Sequence, residues 1–436
     1  MIYILFIGIL ILFFCSFFLF KKNILNPSVI LCSVFLVSLF FSILNVKKWE
    51  LQFSVNTVLI VLVTILFFIL GNSIIYFLPK KHKLLNKNKE ITIQIPSIKI
   101  ILLIDIILLI LLYKYFQETY KLSLIGGNPG GYNLMLSYAR NAKLNFLGVS
   151  RFMNYSIYFV KAISYIYFFV FSYITIFKGF KSKKIYLLSP TLIYCGFIIL
   201  STGRTEFIYL LVYMLIVFFI LYQQKYNFDL KITKKIIFYG IFSLIIFFIV
   251  FSLVGLLTGK TQSKNIFEMI SIYAGSSIPG LNIYLNYPKI PNTYFGENTL
   301  FQIYNILRKF GYEIPKLYAP YEFVYITDMI PTNIYSAIRR YYEDFGIYGL
   351  LLITFLLGNF YGIFFRHACY KKNNFLMLIL YASFCFPIFE FSIEERFFMD
   401  LFPVGFTYNF ISLGIVYYFL VYRKISIRKG EIKLWY

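Results

Sequence analysis

The feature that most constrains this chain is the recurrence of apolar runs of about twenty residues, each bounded by polar or basic residues. They stand near residues 2–20, 28–46, 55–78, 98–116, 152–177, 186–202, 206–222, 236–258, 345–365, 375–393 and 401–422. A helix rises about 1.5 Å per residue, so each run can cross the roughly 30 Å of hydrocarbon in a bilayer. Apolar residues make up 60% of the chain and charged ones only 14%, too little polarity to cover a soluble protein of this length. The pattern predicts an all-α fold: a polytopic transmembrane helical bundle of about 11 spans. Aromatic residues at 22% suit helix ends that sit among lipid headgroups.

Basic clusters give the expected orientation. Lys21 with Lys22, the Pro79 to Glu90 segment, Lys178 to Lys184, Lys231 with Lys234 and Lys235, Arg366 with Lys371 and Lys372, and the Arg423 to Lys433 tail fall on alternate loops. Those loops are expected in the cytoplasm, with the N-terminus outside and the C-terminus inside. The apolar N-terminal run lacks a basic flank and a small-residue cleavage site, and is expected to be a retained span. Three regions follow: residues 1–258 as an N-terminal transmembrane bundle with an outward loop at 117–151, 259–342 as a long extracytoplasmic loop, and 343–436 as the C-terminal spans. The long loop is too aromatic for disorder and is expected to fold as a lid of short helices, with semi-apolar pieces at Ile266 to Tyr273 and Thr299 to Phe310. In the first outward loop, the Gly and Pro residues of GGNPGG precede an expected helix over Tyr132 to Lys143.

Several function classes are excluded. The net charge of +24 sits mostly in short clusters between spans, a membrane pattern with no nucleic acid implied. Five scattered cysteines form no C-x-x-C pair, and the two histidines, His82 and His367, fall in the basic loops, so no disulfide framework, cofactor or metal site is indicated. No phosphate-binding G-x-x-x-x-G-K-[ST] loop occurs, which argues against ATP-driven transport by this chain alone.

The outward segments hold the candidate chemistry. Arg204 lies in STGRTEF, a tight hairpin where a permanent guanidinium is costly near the membrane and its fork matches phosphate oxygens. The bland alternative pairs it with Glu206. In IYSAIRRYYEDFGIYG, Arg339 with Glu343 and Arg340 with Asp344 stand four residues apart. On an exposed helix they would be two ion pairs worth about 0.3–0.5 kcal/mol each. The same segment adds Tyr341 and Tyr342. Arg140 and Arg151 in the first outward loop, and Arg396 beside Glu394 and Glu395, could complete a polar cavity. Asp105 and Lys161, both inside spans, are expected to pair with each other.

In order and spacing, STGRTEF, YAGSSIPGLNIYL, GENTLFQIYNILRKFGY and IPTNIYSAIRRYYEDFGIYG resemble bacterial oligosaccharide repeat-unit polymerases of the Wzy type, the O-antigen or capsule polymerases. The resemblance covers Ile199 to Leu357; the first four spans match in hydropathy only. It implies a polysaccharide-forming glycosyltransferase of the inner membrane, working on the outer face without a cofactor. Such enzymes move a growing glycan from undecaprenyl pyrophosphate onto the non-reducing end of a fresh lipid-linked repeat unit, beside a polysaccharide chain-length regulator. By the same resemblance, Arg204 matches the arginine after the sixth span. Arg339, Tyr341, Tyr342 and Asp344 match an R-x-Y-Y-x-D-F-G segment in which many relatives carry proline at the position of Arg340. Catalytic roles then fall to Arg204, Arg339, Asp344 and Glu343, and substrate binding to Arg340, Tyr341, Tyr342, Arg140, Arg151 and Arg396. The related O-antigen ligases use an outward histidine that this chain lacks. The main rival class is a flippase or transporter of lipid-linked oligosaccharide, expected to carry charge deep in many spans and pseudo-repeated halves. A non-enzymatic scaffold is the third class, and it would need no arginine cluster.

Overall fold

The computed structural model describes residues 1–79, 96–132, 134–144, 147–203, 205–226, 266–287, 293–314, 321–328, 330–370, 374–422, 424–428 and 431–435. The expected span at 236–258 and Arg204 lie outside the described residues. In chain order the helices are α1 Ile2–Leu19, α2 Pro27–Leu44, α3 Val55–Phe77, α4 Ile98–Ile125, α5 Met135–Leu144, α6 Arg151–Lys178, α7 Ser189–Ser201 and α8 Thr205–Lys225. There follow α9 Ile266–Gly275, α10 Ser277–Asn286, α11 Phe301–Lys309, α12 Ser336–Tyr370, α13 Phe375–Phe384, α14 Phe386–Glu390 and α15 Val404–Tyr417. Two short antiparallel hairpins interrupt the helices, β1 Val324–Thr327 with β2 Ile330–Thr332, and β3 Lys424–Arg428 with β4 Glu431–Trp435.

Eight helices among the described residues are long and apolar enough to cross a membrane. The protein is a multi-pass, all-α membrane protein. The expected fourth span is the 28-residue α4, which carries Lys99, Asp105 and Lys114. The expected tenth is broken into α13 and α14, ten and five residues long, with Pro387 near the start of α14. Several helices begin where the sequence supplies a side-chain cap. Ser54, Ser97 and Ser150 accept from Thr57 N, Ile100 N and Met153 N, which satisfies donors that the first helical turn leaves open.

The chain divides into two compact units, each drawn from three stretches. The first comprises Met1–Lys83, Asn265–Lys371 and Phe384–Thr407. Its spine is α3 packed along α12. Gly71 of α3 faces Phe355 O, and Gly358 of α12 faces Phe68 O, so closely that a Cβ at either would collide with the opposing backbone. Gly358 and Gly362 form a G-x-x-x-G face of the kind that lets helices approach where lipid offers no hydrophobic drive. At the far end of α12, the Arg366 guanidinium donates to Ile75 O in the last turn of α3 at 2.7 Å and to Pro79 O just beyond it at 2.9 Å. Asn72 of α3 donates to Asn26 Oδ1 and Ser28 Oγ at 2.6 and 2.7 Å and so fixes the start of α2.

α12 is one helix only by length. At Gly346 the backbone turns to φ 63°, ψ −166°, a conformation open to glycine. That break separates the short Ser336 to Phe345 segment from the apolar span behind it. The long loop is partly helical as expected: Ile266 to Tyr273 falls within α9 and Thr299 to Phe310 contains α11. The β1–β2 hairpin was not expected.

The second unit comprises Leu84–Lys264, Lys372–Ser383 and Tyr408–Tyr436. The expected helix at Tyr132 to Lys143 appears as α5, packed on the end of α4, where a Cβ at Gly126 would collide with Tyr138 O. The expected Asp105–Lys161 pair is replaced by two others. Ser189 Oγ donates to Asp105 Oδ2 at 2.6 Å, while Lys161 Nζ bridges to Glu206 Oε2 at 3.1 Å, joined there by Tyr194 OH at 3.2 Å. Hydropathy had placed both residues at workable depths without saying which way each faces around its helix.

The glycine contact gives the first prediction. Gly358→Val should force α3 and α12 apart at a cost of about 1–3 kcal/mol, the range for overpacking a filled interior. Melting of the purified protein in detergent should fall by several degrees relative to Gly414→Ala, whose Cβ meets nothing within 4 Å. Equal melting of the two variants would contradict the packing.

Candidate active site

The first unit gathers charge at the start of α12. Ser336 opens that helix with φ 62°; its N–H donates to Ile393 O at 2.8 Å and its hydroxyl to Phe391 O at 3.0 Å. The Ser336 turn is thereby tied to the 391–396 loop. One turn later come Arg339 and Arg340, only 2% and 1% exposed. Two exposed ion pairs, the simplest expectation from the sequence, do not describe them.

Arg339 is boxed by rings. Its guanidinium carbon stands 4.2 Å from the ring centre of Tyr284, 3.7 Å from Tyr321 and 4.0 Å from Tyr335. Cation–π attraction of this kind strengthens when water is excluded, to about 2 kcal/mol or more. Its Nη2 donates to Glu322 Oε1 at 2.6 Å and its Nε to Glu343 Oε2 at 3.3 Å, while Nη1 is buried with no hydrogen-bond partner among the described residues. The i,i+4 pair exists, but it is sealed from water on the arginine side. Burial pushes the Tyr335 phenol up to about 12 and raises Tyr284 and Tyr321 as well, so the rings stand as neutral phenols.

Arg340 turns the other way. It donates to Asn298 O at 3.1 Å, reaches Glu394 at 3.8 Å and lies 4.3 Å from the Tyr321 ring centre. Asp344 accepts at Oδ1 from the amide N and the side chain of Asn298, both at 3.2 Å, and at Oδ2 from Thr299 N. Thr299 Oγ1 donates to Arg340 O at 3.3 Å. The carboxylate thus acts as a clasp between the long loop and α12. Tyr341 is buried and donates to Glu395 Oε1 at 2.8 Å; Tyr342 is half-buried.

The 390–400 stretch closes the cluster. Arg396 is bonded to three acids: Glu390 at 3.0 Å, Glu394 at 2.7 Å and Asp400 at 3.0 Å. With its side chain 23% exposed it is the most accessible of the three arginines. Glu395 accepts from Phe398 N at 2.8 Å and Met399 N at 3.0 Å, and burial raises its carboxyl above the ordinary range. Arg339, Arg340 and Arg396 therefore stand among seven carboxylates: Glu322, Glu343, Asp344, Glu390, Glu394, Glu395 and Asp400.

Sequence reasoning found the arginines and missed what surrounds Arg339. Tyr284, Tyr321, Glu322 and Tyr335 lie up to 55 positions away along the chain, counting 339 − 284. The available signal was PYEFVY, an acid among aromatics just upstream of the arginines.

The second unit holds the remaining candidates. Arg140 is half-buried on α5 and Arg151 is the exposed first residue of α6, and neither has an ion pair among the described residues. Between them in sequence, Lys143 donates to Ser201 O at 2.7 Å, and burial lowers its ammonium to about 8. Lys161 faces the rings of Tyr165 and Tyr209 at 5.6 and 5.2 Å. Glu206, the alternative partner for Arg204, is held by Lys161 and Tyr194.

The eight candidate spans among the described residues and a charged cluster locked against the described part of a long loop define a multi-pass membrane protein with a polar site at the start of α12. The chain is similar to the O-antigen polymerase of Shigella dysenteriae, with 28% identity over 232 residues, 50% of this chain and 53% of that protein. The match spans about half of the relative's length and agrees with the resemblance drawn from the motifs. No family model matches, and no solved structure gives a significant match.

The geometry separates two roles by substitution. Arg339→Lys keeps the charge but loses the fork and the stacked plane, and should cost about 1.5–3 kcal/mol, the range for hydrogen bonds to charged groups, rather than the few tenths of an exposed pair. Thermal melting checks it. Asp344→Asn should leave melting nearer wild type while loosening the Asn298–Thr299 clasp, so that limited proteolysis cuts the 293–314 segment faster.

Proposed function

We propose that the protein is an oligosaccharide repeat-unit polymerase: a membrane glycosyltransferase that transfers a growing glycan from undecaprenyl pyrophosphate to the non-reducing-end sugar of a lipid-linked repeat unit, at the extracytoplasmic face of the bacterial inner membrane. The observation that carries this reading is the Arg339–Glu343 pair, sealed under three tyrosines in a chain similar over half its length to an O-antigen polymerase. Burying a guanidinium costs several kcal/mol that a plain helix pair does not repay, so the arrangement points to a task beyond stability.

In the proposed reaction the acceptor hydroxyl attacks the anomeric carbon of the donor. The bond to the pyrophosphate oxygen breaks, and undecaprenyl pyrophosphate leaves with the electron pair. The leaving group carries its own activation, so no ATP enters and the protein must stabilise developing negative charge. Glu343, oriented by Arg339, is the proposed general base for the hydroxyl proton. Asp344, with both oxygens engaged, holds the loop in place. Arg339 is buried and ion-paired, so its proposed part is to hold carboxylates. Arg204, Arg140 and Arg151 are kept for the phosphates, Arg204 on the sequence alone, and Arg340, Tyr341, Tyr342 and Arg396 for shaping and lining the acceptor side. No metal is assigned a role. A chain-length regulator is the proposed protein partner.

Deletion of the gene should leave surface polysaccharide as a single repeat unit on a gel, whereas loss of a flippase leaves none. Glu343→Gln should lower the polymerisation rate about 10²–10⁴-fold per folded, membrane-inserted molecule. A wild-type rate in that variant would remove Glu343 from the mechanism, and activity lost in chelator and restored by magnesium would replace the arginine-based account. Reporter fusions at Asn86 and Asn292 should read cytoplasmic and external; a shared side would put the site on the wrong face.

A further inference from the structure

The β1–β2 hairpin carries a feature that the reaction above does not use. Leading into and along its first strand the residues alternate: Phe323, just before β1, and Tyr325 are 62% and 64% exposed, and Val324 between them is half-buried. Tyr325 stands opposite Pro331, which is also exposed, so one face of the hairpin presents two aromatic rings and a proline ring to solvent. At the edge of this face is Glu322, its side chain 61% exposed. Arg339 Nη2 holds its Oε1, and Tyr335 OH donates to its backbone oxygen at 2.7 Å. Oε2 of Glu322 has no partner among the described residues.

The platform is also fixed from behind. Thr332 on the second strand is buried and shares a hydrogen bond with Ser276 at 2.9 Å, and a Cβ at Gly280 would lie 2.8 Å from Ile334 O. Asn282 of α10 accepts from Ser54 N at 3.0 Å and Thr57 Oγ1 at 2.9 Å, anchoring that helix to the start of α3. An exposed pair of rings on so rigid a support is held ready for a ligand, with little ordering left to be done on binding.

We propose that this face, Phe323, Tyr325 and Pro331 with the Glu322 carboxylate at its edge, is a saccharide-binding subsite that seats the terminal sugar of the acceptor. The chemistry selects the ligand. A pyranose has C–H faces of slight positive charge, which suit the negative face of an aromatic ring, and hydroxyl donors at its rim, which suit a carboxylate oxygen. Glu322 and the exposed Asp328 at the hairpin turn make the surface acidic, so phosphate groups and anionic lipid headgroups are repelled. Aromatic anchors in the headgroup region are a common alternative for a membrane protein, but among the described residues of the hairpin this pair stands with the carboxylates Glu322 and Asp328 and no lysine. The proposal rests on the polymerase reading and names the place where its acceptor is recognised.

The test uses full-length protein in nanodiscs, lipid-linked repeat units extracted from a strain lacking the gene, and the same repeat oligosaccharide released from lipid by mild acid. Saturation-transfer NMR should show the free oligosaccharide bound to wild type. Phe323→Ala with Tyr325→Ala should abolish most of that signal and raise the acceptor KM by about tenfold or more, two ring contacts each contributing about three- to tenfold, with the loss falling on KM rather than kcat. Tyr325→Trp, which keeps a ring, should retain binding, and melting should match wild type in both variants because the side chains are exposed. Glu322→Gln should weaken binding as well. Wild-type binding and KM in the double alanine variant overturn the subsite. So does a double variant that keeps sugar binding and instead loses affinity for vesicles of zwitterionic and anionic phospholipid, since the rings would then be membrane anchors. Wild type that polymerises while the double variant does so with unchanged KM refutes this proposal alone; wild type that binds the oligosaccharide yet never polymerises refutes the polymerase reading and leaves the subsite standing.

Discussion

The described part of the long loop is organised around one buried cation. Arg339 is enclosed by Tyr284 from α10, Tyr321 and Glu322 from the start of the hairpin, Tyr335 from the turn before α12, and Glu343 one turn further along its own helix. A guanidinium removed from water without these partners would be strongly unfavourable, and the five partners come from four short stretches. The cluster therefore couples those stretches: none can leave its place without exposing a charge to an apolar surrounding or leaving it unpaired. The loop contains too little regular structure to be held by helix propensity alone, since α9, α10 and α11 are at most ten residues long and helices that short are marginal by themselves.

The same end of α12 is anchored from the opposite direction. Asp344 takes the amides of Asn298 and Thr299, Tyr341 takes Glu395, and the Ser336 turn takes the carbonyls of Phe391 and Ile393. Behind it, Gly346 lets the chain change direction before the span begins, and the glycine contact with α3 together with Arg366 fixes that span. Position is thus set by hydrogen bonds at the charged end and by close backbone approach in the apolar part, as expected where water is present at one and absent from the other.

Much of the architecture was legible in the sequence because lipid imposes a length rule. Runs of about twenty apolar residues mark spans whatever their neighbours do. The same rule was weakest at α4, which carries five charged residues, Lys99, Asp105, Lys114, Glu118 and Lys121, and at the α13–α14 break, where proline divides the run. Short helices in the loop were legible from apolar spacing, whereas the β1–β2 hairpin was not, since YEFVYITDMIPT alternates only briefly and includes a proline that argues against strand. Pairing was the least legible layer. Asp105 and Lys161 were read at matching depth, yet azimuth sends one to Ser189 and the other to Glu206. For Arg339 the four-residue spacing identified Glu343; Tyr335 and the PYEFVY segment stood nearby in the sequence, but no spacing rule announces that their rings and Tyr284 would fold over the guanidinium and convert a surface pair into a buried one.

The balance of charge bears on what the cluster can serve. A departing pyrophosphate calls for accessible positive charge, but here three guanidinium groups are set among seven carboxylates, and Arg339 and Arg340 are sealed. An environment of that kind binds hydroxyl donors and accepts protons more readily than it binds anions. Within the proposed reaction it follows that the cluster serves the nucleophile, by seating a sugar and receiving its proton, and that the charge for the leaving group comes from outside this set. Of the described arginines that the sequence marked, Arg140 and Arg151 are the ones with no ion pair among the described residues; Arg204 lies outside those residues, in the hairpin where the guanidinium fork first suggested a phosphate ligand. In the proposed reaction the acceptor and donor halves of the chemistry then draw on different segments of the chain, the long loop rich in acids and aromatics for the one and a separate set of arginines for the other.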